Sequence, residues 1–319
     1  HEYKMMGLAA YNTEKYGGYA YETYAETLQV NGIKFNYKKE IKDHFFYFKD
    51  KFEGVRFDAI AYGIQRRTEE LIFEWIRNIV NETKIRDIVM CGGVAQNIKA
   101  NQKLIQSEFV DSLYIPPGPG DESISLGGGF LASGQKKSSN KKNAYFYLNY
   151  DEKNTIKELE ELNPEEYSFN ETSNQKVAEL LASGEIVARH YSKEMEFGAR
   201  ALGNRSFLAD PRSLETIHTI NKLVKVRDFW MPFAPSIKEE IFDDYMLPQN
   251  GASPDFMAIG FNSTEKAQNE IPACLHPFDK TARPQIVRKN DNPEYHDLIS
   301  CFERITGIGV LLNTSFNIH

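Results

Sequence analysis

Apolar residues recur with a helical period between Asp58 and Glu82, at Ile60, Ile64, Leu71, Ile72, Trp75, Ile76 and Ile79, with polar residues between them. Spacings of three and four put them on one stripe, so the segment predicts a long amphipathic helix. The short apolar run Asp87-Ile88-Val89-Met90-Cys91 follows and ends at Gly92-Gly93, which predicts a buried strand entering a tight turn. A helical pattern resumes from Val94 to Ser107, Leu113 to Ile115 predicts another short strand, and Pro116-Pro117-Gly118-Pro119-Gly120 breaks it. Asp121 stands just before a Gly-rich helix that runs to about Ser133. This alternation predicts an α/β unit whose ligands sit at the C-terminal ends of its strands.

Residues 134–143 contain no apolar side chain, so the domain boundary is placed there, with domains of 1–135 and 146–319 on either side of a 136–145 linker. Beyond it, Asn174 to Ser183 predicts a helix ended by Gly184, Glu185 to Tyr191 a strand, and Leu214 to Val224 a helix. Further strands are predicted at Phe256 to Phe261 and Gln285 to Val287, then a helix from Tyr295 to Thr306 capped by Gly307, and a final strand from Gly309 to Thr314. The second half therefore reads as mixed α/β with long loops, and no internal repeat is visible. The opening His1-Glu2-Tyr3-Lys4 lacks an initiator Met and the chain stops directly after a strand-like run, so it reads as a piece of a longer protein.

Composition narrows the function. With 38 Lys+Arg against 45 Asp+Glu, the net charge of −7 disfavours a broad basic face for duplex nucleic acid, so an anion site has to be local. The 319 residues are 41% hydrophobic, enough for more than one core, yet no window suits a membrane span and no export signal is visible. The three cysteines, Cys91, Cys274 and Cys301, have no paired spacing, which points to a reducing, cytoplasmic setting without disulfides or a zinc knuckle. Cys91 has no neighbour that would make it a thiolate and is expected in the core.

Two runs carry the chemistry: Met195-Glu196-Phe197-Gly198-Ala199-Arg200-Ala201-Leu202-Gly203-Asn204-Arg205-Ser206 and Leu311-Leu312-Asn313-Thr314-Ser315-Phe316-Asn317. The first is read as too polar for a core. The second places small hydrogen-bonding residues at a strand end, suited to a phosphate or a planar amide. Arg200, Arg205, Arg212, Lys225, Arg227 and Arg283 lie in Gly-, Pro-, Asn- and Ser-rich segments from which they can converge, and a guanidinium fork matches phosphate oxygens. For any single arginine a surface ion pair with Glu194, Asp210 or Asp228 is the competing reading. Gly92, Gly93 and Asn97 stand where a strand turns into a helix, which offers backbone N–H groups to an anion and leaves tight packing as the alternative. Asp121 is either a helix cap or a metal ligand. His276, among charged neighbours in a turn-rich stretch, is the histidine expected to move a proton; His190 and His296 are expected to be structural.

In chain order, Glu2-Tyr3-Lys4-Met5-Met6-Gly7, Gly92-Gly93-Val94-Ala95-Gln96-Asn97, Gly118-Pro119-Gly120-Asp121, the 196–206 run, Trp230-Met231-Pro232-Phe233-Ala234-Pro235-Ser236, Thr281-Ala282-Arg283-Pro284-Gln285 and the 311–317 run resemble the NodU/CmcH-type O-carbamoyltransferases. The resemblance covers nearly the whole chain. It implies the second lobe of an actin-like ATPase (RNase H-like) domain followed by a YrdC-like domain. In such enzymes carbamoyl phosphate and ATP give carbamoyl adenylate and pyrophosphate, and a metal-dependent step passes the carbamoyl group to a small-molecule or sugar hydroxyl. Carried over by motif, Arg200, Arg205, Lys225, Arg227, Arg283, Asn313 and Ser315 would serve catalysis, beside the His276 read from its surroundings. Lys4, Gly92, Gly93, Asn97, Glu196, Gly198, Thr314 and Asn317 would contact ATP, and Asp121 a divalent metal, Fe or Mg, whose other ligands lie outside the chain. The sequence departs from the family at Asn12, usually Gly, and at Ala199, usually Pro. A non-catalytic nucleotide- or RNA-binding module of YrdC-like fold is the alternative, which the acidic charge disfavours for RNA. No membrane partner is expected.

Overall fold

The computed structural model describes residues 2–134, 143–147, 166, 168, 170–191, 193–225 and 228–317. The predicted linker lies outside them as far as residue 142. The first half contains α1 (Glu2–Ala9), α2 (Glu14–Ala25), a hairpin of β1 (Leu28–Asn31) and β2 (Lys34–Tyr37), α3 (His44–Phe52), and the long α4 (Phe57–Thr83). Then come β3 (Asp87–Val89), α5 (Ile98–Ile105), β4 (Ser112–Tyr114) and α6 (Ser123–Ser133).

The predicted long helix is α4, and it ends where Lys84 turns left-handed at φ 62. Its C-terminal half buries the expected Leu71, Ile72 and Ile76. Its N-terminal half instead buries Ala59, Ala61 and Gly63 and leaves Ile64 exposed, because α2 approaches too closely there for a branched side chain. β3 and β4 pair in parallel, as a strand–helix–strand crossover requires. The expectation of a buried β3 is corrected: Val89 is 67% exposed and Cys91 is exposed rather than part of the core.

The second half contains β5 (Tyr145–Tyr147), α7 (Asn174–Ala182), β6 (Val187–His190), β7 (Glu194–Glu196), β8 (Arg205–Ala209), α8 (Glu215–Ile220) and β9 (Ala234–Lys238). It continues with β10 (Phe261–Asn262), β11 (Thr281–Ala282), β12 (Gln285–Val287), α9 (Pro293–Thr306) and β13 (Val310–Ser315). Five strands form one mixed sheet in the order β12-β9-β13-β8-β6, in which only β12 and β9 run parallel. β13 is its centre, with Asn313 opposite both Leu208 and Ala234. Val310, Leu311 and Leu312 are fully buried, as an interior strand demands.

Two predictions change here. The run Phe256 to Phe261 is a short 3₁₀ turn and a left-handed Met257 (φ 54), and only Phe261–Asn262 pairs as a strand. Its backbone is held by α5 rather than in a sheet: Gly260 N–H donates to the Ile98 carbonyl at 3.1 Å, and Asn101 Nδ2 donates to the Ala258 carbonyl at 2.8 Å, while Phe256 and Met257 are buried with Tyr145, Leu202 and Ala234. The predicted helix 214–224 splits into α8 and a wider π turn over Asn221–Lys225, which swings Lys225 inward. One buried cluster runs through both halves, from Ile76, Leu104 and Leu113 to Leu208, Ile237 and Phe302. Among the described residues no helix is long and apolar enough to cross a membrane.

Candidate active site

The C-terminal end of β13 faces a cavity of about 590 Å³ lined from both halves of the chain. From the second half come Arg200, Lys225, Phe233, Arg283, Asn313 and Ser315, and from the first Lys4, Gly7 and Lys99. The cavity is within the size range of small-molecule sites.

The turn after β7 builds one wall, and its glycines have a physical cause. Gly198 lies at φ +117, where a Cβ would sit 2.2 Å from the Pro117 carbonyl oxygen, and Gly203 lies at φ +106, where a Cβ would strike the Tyr295 ring at 2.3 Å. The turn is pinned from within by Glu196, whose Oε2 accepts from Leu202 N at 3.0 Å and Asn204 N at 2.9 Å. The expectation that this run is too polar for a core is therefore corrected. Glu196, Leu202, Asn204 and Ser206 are buried, and Glu196 Oε2 and Ser206 Oγ accept from backbone N–H groups of the turn itself. Burial pushes the Glu196 carboxyl up against the opposing pull of those N–H groups and of Arg205, and its Oε1 is buried without a hydrogen-bond partner.

At the cavity floor, Asn313 Nδ2 donates to the Ala201 carbonyl at 3.0 Å and to Ser236 Oγ at 3.0 Å. Gln285 Nε2 donates to the Leu202 carbonyl at 2.8 Å, which turns Gln285 Oε1 toward Ser236 Oγ at 2.8 Å and Asn313 Nδ2 at 3.3 Å. Both amides face a carbonyl that can only accept, so neither can be flipped. The Asn313 Oδ1 that results is buried and has no hydrogen-bond partner. Ser236 and Gln285 belong to motifs quoted for the family resemblance, but nothing in their local sequence shows that they meet Asn313.

Lys225 is 97% buried from solvent, with 3% of its surface exposed, and its ammonium contacts Ser315 O at 2.5 Å, Asn317 O at 2.6 Å and Asn317 Oδ1 at 2.7 Å. It clamps the turn after β13, with Asn317 in the clamp and Thr314 and Ser315 on the cavity wall. His276 Nδ1 accepts from the Phe278 and Asp279 N–H groups at 3.3 Å each, so its Nε2–H donates to the Gly7 carbonyl at 2.9 Å. Burial holds its pKa below the ordinary value. With both nitrogens engaged, it joins α1 to the second half at the cavity lining. Lys99, which sequence reading passed over, bonds Asp279 at 2.7 Å; burial would raise that carboxyl, but Lys99 and Thr281 hold it below its ordinary value.

The other expected residues lie elsewhere. Glu196, Gly198 and Arg205 line a separate cleft with Gln96, Glu122 and Phe197, and Ala199 borders both spaces. Arg212 forms the ion pair with Asp210 that was its competing reading, at 2.5 Å. Gly92 N–H donates to the Pro119 carbonyl at 2.6 Å, and Gly93 starts a 3₁₀ turn. Asn97 caps α5 through Ala100 N at 3.1 Å and exchanges two bonds of 3.0 Å with Gln65, so its amide braces α4. Asp121 is exposed, and its side chain caps no helix. Among the described residues no group of three His, Cys, Asp or Glu could hold a metal, so a metal at Asp121 is not completed by them. Arg227 lies outside the described residues.

Fold and site together define an α/β protein with a cavity lined by cationic and amide side chains at the end of a central strand. The chain belongs to the carbamoyltransferase family: residues 1–130 match the model described as carbamoyltransferase N-terminus and residues 178–319 that described as carbamoyltransferase C-terminus. An uncharacterized protein of Methanocaldococcus jannaschii is 34% identical over 100% of this chain and 54% of its own length. Nodulation protein NolO of Bradyrhizobium diazoefficiens is 30% identical over 99% of the chain and 59% of its length, and nodulation protein U of Rhizobium fredii 29% identical over 73% and 38%. The chain thus spans about half the length of the curated relatives it matches.

Proposed function

We propose that the protein takes part in ATP-dependent O-carbamoyl transfer and that the cavity at the end of β13 activates the carbamoyl group. Carbamoyl phosphate, ATP and water would give carbamoyl adenylate, pyrophosphate and phosphate, and a hydroxyl of a small-molecule or sugar acceptor would then displace AMP. The supporting observation is the cavity lining, which brings Arg200, Arg283, Asn313 and Ser315 together at the end of β13. Arg200 and Arg283, on the same cavity wall, suit the phosphate oxygens and the charge that develops as oxygen attacks the α-phosphorus.

The test is pyrophosphate release from ATP on adding carbamoyl phosphate to the full chain. We expect release that depends on both substrates and falls about a hundredfold in Arg200→Ala, in keeping with the loss of one charge-stabilising group. Equal release by Arg200→Ala would sink the assignment. Binding of ATP without any release would favour the non-catalytic nucleotide-binding alternative.

A further inference from the structure

Arg200 and Arg283 reach the cavity from segments that no ladder joins. Arg200 lies in the turn between β7 and β8, and Arg283 between β11 and β12. Among the described residues β7 pairs with β5, β11 with β10 and β12 with β9, so no strand pairing sets the distance between the two arginines.

A side chain crosses that gap. Gln285 stands two residues after Arg283, and its Nε2 donates to the carbonyl of Leu202, two residues after Arg200, at 2.8 Å. The same carbonyl accepts from the Tyr145 hydroxyl at 2.7 Å, and the neighbouring Ala201 carbonyl from Asn313 Nδ2 at 3.0 Å. Both peptide carbonyls after Arg200 are therefore held from behind. Gln285, Ser236 and Asn313 are buried, which keeps water from competing for these bonds.

The bonds run in one sense. A carbonyl only accepts, so Gln285 presents its N–H to Leu202 and its oxygen to the Ser236 hydroxyl, 2.8 Å away, while the Ser236 oxygen accepts from Asn313 Nδ2 at 3.0 Å. We propose that Gln285 is a positioning residue whose amide sets the spacing of Arg200 and Arg283, so that both meet one anionic ligand, with Ser236 holding that amide in its working sense. This role rests on the activation reading in taking phosphate oxygens as what the arginines meet.

Gln285→Glu separates positioning from bracing. The neutral acid keeps the pattern, since its O–H donates to the Leu202 carbonyl while its other oxygen accepts from Ser236; the ionised form has no proton for that carbonyl. Pyrophosphate release, taken relative to the parent at each pH and below the melting transition, should stand near the parent's at about pH 5.5 and fall about tenfold by about pH 9, as a buried carboxyl titrates in that range. Tyr145, Tyr295, Glu196 and Arg189 interact electrostatically around the site and are common to both proteins, so the ratio removes their titration. Gln285→Met, similar in length and without a hydrogen bond to give, should lose about tenfold at every pH, and covers a Glu variant that does not fold. Lowered melting of either variant with parental release below it, or the same ratio at both pH values in Gln285→Glu, overturns the positioning role. If the parent releases no pyrophosphate the activation reading fails, and the series is read as calorimetric affinity for inorganic pyrophosphate: a weakening in Gln285→Glu that grows with pH upholds the role, and unchanged affinity or no binding ends it.

Discussion

Gly203 and Asn313 are single residues with no substitute at their positions, for different reasons. A Cβ at Gly203 would meet the Tyr295 ring at 2.3 to 2.9 Å from a left-handed backbone that side chains rarely adopt. Gly203→Ala should therefore lower unfolding free energy by about 3 kcal/mol, from overpacking and backbone strain together. Gly127→Ala, in the middle of α6 with open space around it, should raise it by about 0.5–1 kcal/mol through helix propensity. Urea denaturation of both variants checks the pair, and a similar response from the two would contradict this account. The sequence already placed two glycines in the 196–206 run and marked Asn313 as a hydrogen-bonding residue at a strand end. It did not reveal what Asn313 faces, because Ala201, Ser236 and Gln285 are 112, 77 and 28 positions away along the chain. Cys91 was misplaced for a local reason. An apolar run of five residues reads as buried, but only one neighbour, β4, pairs with β3, and its outer positions stay in solvent.

At the scale of elements, periodicity was informative where one face of an element packs against a single partner. α9 shows this: Asn292 caps it by accepting from Tyr295 N at 3.1 Å, Gly307 ends it at φ 80, and Tyr295, Leu298, Ile299 and Phe302 are buried along one stripe. Asn292 also donates to Asn204 Oδ1 at 2.8 Å, which ties the helix to the turn behind the cavity wall. Asn292→Ala should cost about 2 kcal/mol, since it removes both a cap and a buried hydrogen bond, and a thermal melt of the variant measures the loss. A cost near zero would mean that α9 holds its position without the cap. The first 57 residues yielded no elements from pattern, although α1, α2, α3 and the β1–β2 hairpin lie there. Aromatic and small residues are interspersed in that region, and α2 packs through Gly17 and Ala20, which carry no hydrophobic signal strong enough to show a period. The 256–261 run misled for the opposite reason. It is apolar enough for a strand, but Phe256 and Met257 are buried with Tyr145, Leu202 and Ala234 and the backbone bonds to α5, so no strand partner is required.

Across the whole molecule, the two halves meet at the cavity, and His276 is one of the contacts that hold them together. Burial keeps its pKa below the ordinary 6.5, Asp279 pulls the other way, and Lys99 and Lys280 add to the depression, with the Tyr11 ring packed against it at 5.3 Å. The neutral form belongs to the folded state, so this contribution is complete above 6.5 and is lost as pH falls from there through the lower folded value. Urea midpoints taken at about pH 7.5 and about pH 5.5 should differ more for the parent than for His276→Gln, which removes the titrating group. Equal differences would show that the slope arises elsewhere. Asp279, held below its ordinary 3.8, acts only in a lower window. The central position of β13 has a further consequence. Its pairing with β8 on one side and β9 on the other meters the strand, and a slip of one residue would exchange its two faces. Leu312 would then stand where Asn313 does, beside Ser236 and Gln285, and their hydrogen bonds to Asn313 would be lost. The place of Asn313 is thus keyed to the count of residues from Gly309 onward, and a one-residue insertion or deletion there would unseat the core and displace Asn313 together.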